Sequence, residues 1–165
     1  MKIKTTTAGE SHGKGLILIV EGFPAGVKIN KKNLQNELAR RQGGYGRGGR
    51  MDIESDAAEI ISGIYEGQSI GSPISIKIDN KDWENWKDAM PNFGKAEGKE
   101  EVNLPRPGHA DLAGALKYGF RDCRKILERA SARETAARVA AGALFKDLLS
   151  NFGLKIVSRV TEIGG

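Results

Sequence analysis

Hydrophobic and polar positions alternate cleanly at only a few places along this chain, and those places set the expected elements. In "SPISIKID" the residues Ile74, Ile76 and Ile78 fall on one face of an extended strand, with polar residues between them. "AEIISGIY" reads as a second strand, linked to the first by "EGQSIGS". Residues 2–7 form a short β-branched run suited to an edge strand, and residues 16–21 are apolar enough for a buried one. "EGFPAG" then turns the chain. Asn30 is placed to cap a helix running to about Arg41, with Leu34 and Leu38 on one face.

A longer helix is expected late in the chain. Ser131 and Glu134 have capping-box spacing, and "TAARVAAGALFKDLL" behind them is rich in helix formers. Ala136, Val139, Ala140 and Ala143 mark its core face, and Arg138 its solvated side. Asn151 to Gly153 end it, with Gly153 as a left-handed terminator, and residues 154–163 read as a final strand. Between the two halves, residues 79–105 are polar, carry Trp83 and Trp86, and read as a long excursion loop. No internal repeat is present.

Composition narrows the classes. A chain of 165 residues with 39% apolar and 28% charged residues fits one soluble domain, taken here as 1–165. The net charge of +5 and a pI near 9.3 point to an anionic partner: nucleic acid, a phosphorylated metabolite or a membrane surface. A lone cysteine, Cys123, makes no internal disulfide and implies a reducing compartment. The opening residues lack the apolar stretch of a signal peptide, and the run 16–20 is far too short to cross a bilayer. The expectation is a cytoplasmic protein with no membrane partner.

Four segments carry candidate chemistry. "AGESHGKG" brackets His12 with glycines directly after a strand, where it is free to act as an acid near neutral pH; the plainer reading is a loop histidine without a role. Glu10 and Ser11 flank it. "RPGHAD" sets Arg106 three residues before His109, an arrangement in which one group binds a phosphate and the other protonates a leaving oxygen. The alternative there is a helix start with His109 and Asp111 as its end residues. "RRQGGYGRGGR" holds four arginines and five glycines in eleven positions. Read as a disordered tract it is a basic anion- or RNA-binding module. Its brevity and its place between a capped helix and a strand favour an ordered loop that aims Arg41, Arg47 and Arg50 at a small polyanion. "RASAR" sets Arg129, Ala130, Ser131 and Arg133 at the expected start of the long helix, where free N–H groups attract anions. There is no Walker loop, no dinucleotide-binding GxGxxG after a strand and no metal-ligand cluster, so no metal is expected.

In order along the chain, "GESHGKG", "RRQGGYGRGGRM", "RPGHADLAGALKYG" and "ERASARETAARVAAGA" resemble chorismate synthase. The resemblance implies an α+β fold, a β-α-β sandwich of antiparallel sheets and helices. It implies a lyase that converts 5-enolpyruvylshikimate 3-phosphate to chorismate and phosphate by anti 1,4-elimination, with reduced FMN (FMNH2) required although no net redox change occurs. By matched position His12 is the proton donor to the departing phosphate, and His109 the donor to the reduced flavin. Arg41 and Arg47 match substrate- or nucleotide-binding arginines. Arg50, Arg106 and Arg133 are further anion contacts, and Ser11 lies beside the site. Arg129, Ala130 and Ser131 match a flavin-binding segment. The partner implied is the small-molecule substrate, which carries one phosphate and two carboxylates, and no nucleic acid. A homotetramer is the family's assembly. Family members differ in whether they reduce their own flavin with NADPH, and the resemblance leaves that open. They also run to more than twice this length, so the chain corresponds to their amino-terminal half.

Overall fold

In the computed structural model, residues 2–43 and 56–164 are described. Four strands form one antiparallel sheet in the order β1-β2-β6-β3: β1 is Lys4–Ala8, β2 Gly15–Glu21, β3 Ala58–Ser62 and β6 Ile74–Asp79. Two short strands, β4 (Ile64–Tyr65) and β5 (Gln68–Ser69), make a separate hairpin between β3 and β6. The expected second strand is thus interrupted, with β3 ending at Ser62. The class expected from the resemblance, α+β with antiparallel strands, is the class this chain adopts.

The alternation read from sequence is what orients the sheet. Leu16, Leu18 and Val20 of β2 and Ile74, Ile76 and Ile78 of β6 are all buried on one face. Helices α1 (Lys31–Gln42) and α4 (Thr135–Ser150) pack together, and α4 lies on β2, to form the second layer. Asn30 caps α1 as expected, its side chain accepting from the Asn33 N–H at 3.1 Å, and Leu34 and Leu38 enter the core. Ala136, Ala140 and Ala143 of α4 do the same, with Val139 partly buried beside them. Small side chains bring this helix close to the sheet, and burying them costs no rotamer entropy.

Three expectations change. The Ser131 hydroxyl makes no cap bond. The chain instead tightens into a 3-10 turn over Ala132–Glu134, the Glu134 N–H donates to the Ser131 carbonyl, and the Glu134 carboxylate is drawn to Thr7 and Arg138. "RASAR" is therefore no helix start. Arg129 and Ala130 close a separate helix, α3 (Arg124–Ala130), and Ser131 is extended. Residues 154–163 are exposed coil rather than a strand: a strand forms only where another edge offers its N–H and C=O groups, and no described strand pairs with this segment. Arg138 is exposed, as expected, and Gly153 takes the left-handed conformation after α4.

The antiparallel register gathers chain ends at one edge of the sheet. Ala8 pairs with Ile17, Gly15 with Asp79, and Ala58 with Ile78. The end of β1, the start of β2, the end of β6 and the start of β3 therefore lie side by side. The loop 9–14 crosses this edge tightly. Gly9 has φ +106°, and a Cβ there would sit 2.3 Å from the Gly15 carbonyl oxygen. We expect Gly9→Ala to lower unfolding stability by about 1–3 kcal/mol, measured by urea denaturation. A variant as stable as the parent would show that the crossing is not constrained.

Candidate functional site

Helix α3 closes over this edge through Glu128, and a further helix packs on α3. α2 (Asp111–Tyr118) packs on α3 so tightly that a Cβ at Gly114 would meet Ile126 at 2.5 Å. α3 carries a feature not singled out in the sequence. Glu128, its side chain fully buried, faces the loop 9–14 and holds it in three ways. The Glu128 carbonyl accepts the Ser11 N–H at 2.8 Å, its Oε2 accepts the His12 N–H at 2.9 Å, and both carboxylate oxygens lie 2.8–2.9 Å from His12 Nδ1. Arg124, one turn earlier on α3, stands 3.8 Å from Oε1. Burial alone would push the Glu128 carboxyl up; the hydrogen bonds from His12 and the charge of Arg124 outweigh it and hold the group below its ordinary value.

The excursion loop supplies the other wall. Trp86 stacks on the His12 ring, with centroids 3.6 Å apart and planes 25° apart. Its indole N–H donates to Asp82 at 2.9 Å. The buried Asn80 ties this segment back to the same loop: its side chain donates to the Gly13 carbonyl at 2.9 Å, and its backbone N–H to the Lys14 carbonyl at 3.0 Å. A cleft of about 880 Å³ opens beside His12, with Gly13, Lys14, Trp83, Lys99, Arg124 and Glu128 among its lining residues. Its size suits a small ligand, and its lining mixes basic side chains with as many carboxylates.

His109 stands in a second cluster, directly before α2. The Arg106 guanidinium lies 3.1 Å from His109 Nδ1 and donates through Nε to Asp111 at 3.0 Å, and Asp111 also bonds His109. Asp111 opens the helix, as the plainer reading of "RPGHAD" has it, and Arg106 and His109 lie against each other and against Asp111. Burial works against the Asp111 carboxylate, but the hydrogen bonds from Arg106 and His109 prevail and set its pKa at about 2. The folded value lies below the unfolded one, so the stability Asp111 confers is complete above about pH 4 and lost as pH falls toward 2. Acid titration of Asp111→Asn against the parent should show their stability difference shrinking across that window; a difference constant down to pH 2 would contradict it.

The other candidate arginines among the described residues fall in two settings. Arg41 and Arg133 meet on one buried carboxylate, Asp56, at 3.1 and 3.2 Å. Arg41 also donates to the Ala132 carbonyl and to Thr135, and Arg133 to the Asp79 carbonyl. Arg129 donates to the Thr7 carbonyl and hydroxyl at 3.0 and 2.9 Å, near the exposed Ala130 and half-buried Ser131. Arg47 and Arg50 lie outside the described residues.

Glu128, Trp86 and Asp56 were missed from sequence. Glu128 left a faint signal, one acid in a basic run and four residues after Arg124. Trp86 left another, since a large aromatic in a polar loop needs a surface to cover it.

The chorismate synthase family model matches residues 3–165. This chain belongs to the chorismate synthase family. It is 58% identical over 163 residues to the chorismate synthase of Chlorobium luteolum, covering 98% of this chain and 41% of that protein. With the chorismate synthase of Syntrophomonas wolfei it shares 61% over 166 residues, covering 99% and 42%. A crystal structure of chorismate synthase superposes with a TM-score of 0.69 at 45% identity, over 93% of this chain and 36% of that one. The chain thus spans about 41% of the length of the chorismate synthases it matches. Among the described residues, no helix is long and apolar enough to cross a membrane.

Proposed function

We propose that this chain carries the proton-handling part of a chorismate synthase, which eliminates phosphate from 5-enolpyruvylshikimate 3-phosphate to give chorismate. The observation that carries the reading is His12, clasped between the Glu128 carboxylate and the Trp86 ring beside a cleft that Lys14, Lys99 and Arg124 help to line, in a chain of this family. The elimination breaks a C–O bond to phosphate and removes a ring proton, so the leaving oxygen needs a proton nearby. His12 delivers it. His109, between Arg106 and Asp111, is the second proton-holding group. Lys14, Lys99 and Arg124 offset the charge of a substrate with one phosphate and two carboxylates.

Reduced FMN, if bound, would supply transient electron-transfer chemistry with no net redox change. Arg129, Ala130 and Ser131 would hold its edge; the fit rests on a part-exposed guanidinium, a side chain too small to block approach, and a hydroxyl on extended backbone. Their partners Thr7 and Glu134 fix the guanidinium in place.

The rival reading, a basic module gripping RNA, separates by salt. The chain should bind the trianionic substrate with affinity falling gently as salt rises, and should leave single-stranded RNA unbound at physiological salt. RNA binding with a steep salt slope, of order −0.7 per phosphate neutralised, and no affinity for the substrate would favour the rival.

A further inference from the structure

We infer that Glu128 is the positioning residue of His12: its carboxylate keeps the imidazole proton on Nδ1 and leaves Nε2 as the atom that carries the working proton. The inference rests on the proposed role of His12 and adds which atom performs it. Two oxygens of one carboxylate lie within 2.9 Å of Nδ1, and an ionised carboxylate only accepts, so Nδ1 must donate. The hydrogen bond on one ring nitrogen decides the state of the other.

Burial and packing make the assignment rigid. The Glu128 side chain is fully buried on α3, and its other links, to the Ser11 and His12 backbone N–H groups, fix the distance between helix and loop. Trp86 sets the plane of the ring. Several charged groups among the described residues stand near the pair. Arg124 on α3 is near the carboxylate, Lys99 lies 4.7 Å from the Trp86 ring, and Lys14 and Glu10 belong to the loop itself. With Arg124 beside it, Glu128 stays ionised, and its lowered pKa agrees with that.

A residue that merely braced the loop would leave the tautomer untouched, so the tautomer is the readout. The chain has two histidines, which makes assignment of ¹⁵N imidazole spectra simple with His109→Ala as reference. Above its titration, His12 should show a protonated Nδ1 and a bare Nε2. In Glu128→Ala the Nδ1–H form should fall from dominant to minor, because the carboxylate that held the proton on Nδ1 is gone and the intrinsic preference of an imidazole is for Nε2. A parent protein with the proton on Nε2, or an alanine variant with an unchanged tautomer, overturns the inference. The parent spectrum decides alone if the variant does not fold. No substrate enters this experiment. Failure here leaves the proposed reaction standing, and failure of the reaction with the expected tautomer counts against that reading only.

Discussion

His12→Ala, placed in a chimera that adds the remaining length of the Syntrophomonas wolfei relative, should lower kcat by about 10²- to 10⁴-fold, the usual worth of a positioned proton donor. KM should change little, since the cations of the cleft are untouched. The argument is one of geometry. His12 is held by ring, backbone and stacked face at once, and an acid fixed in this way loses no orientation entropy as the leaving oxygen charges. Removing the ring leaves the buried Glu128 carboxylate with only the backbone N–H of residue 12 and the more distant Arg124, so the variant's fold must be checked by circular dichroism before its rate is read. A folded variant with turnover within a few-fold of the parent chimera would remove His12 from the mechanism. Rates measured against pH should fall with the same variant at every value, because no neighbouring group on α3 or in the loop replaces an imidazole near neutrality.

The second large effect concerns the arginines. Asp56→Ala should cost about 3–5 kcal/mol of unfolding stability, as expected when one partner of a buried ion cluster is removed. Asp56, Arg133 and Arg41 have side chains only 1%, 3% and 9% exposed. Two guanidinium groups converge on this carboxylate, one from the end of α1 and one from the 3-10 turn ahead of α4. Among the described residues they also donate to the Ala132 and Asp79 carbonyls and the Thr135 hydroxyl, but Asp56 is the carboxylate the two share in this dry setting. Urea unfolding of parent and variant gives the comparison directly. A loss below about 1 kcal/mol, the range of exposed pairs, would show that the cluster is solvated in practice.

Much of the scaffold was legible because one-sided burial leaves a period. Ile74, Ile76 and Ile78 gave β6, Leu34 and Leu38 with Asn30 gave α1, and the alanines of α4 gave its core face. The failures share a cause. The Ser131–Glu134 spacing matched a local cap, but Glu134 found Thr7, 127 residues away, and Arg138 instead. Residues 154–163 had the composition of a strand, yet a strand depends on a partner that composition does not name. The site divides the same way. Its histidines were visible in their glycine and proline settings. Glu128, 116 residues from His12, was not, since only the packing of α3 over the sheet edge joins them. Nor was the sharing of Asp56 by Arg41 and Arg133, which ties the end of one helix to the approach of another.

Chorismate formation by the chimera tests the central claim most directly. It would be supplied with 5-enolpyruvylshikimate 3-phosphate and chemically reduced FMN in the absence of oxygen, with the intact Syntrophomonas wolfei protein run alongside. The account expects chorismate with one phosphate released for each molecule formed, and from the His12→Ala chimera a rate about 10²- to 10⁴-fold lower. A folded parent chimera that releases no phosphate while the intact protein turns over would contradict it.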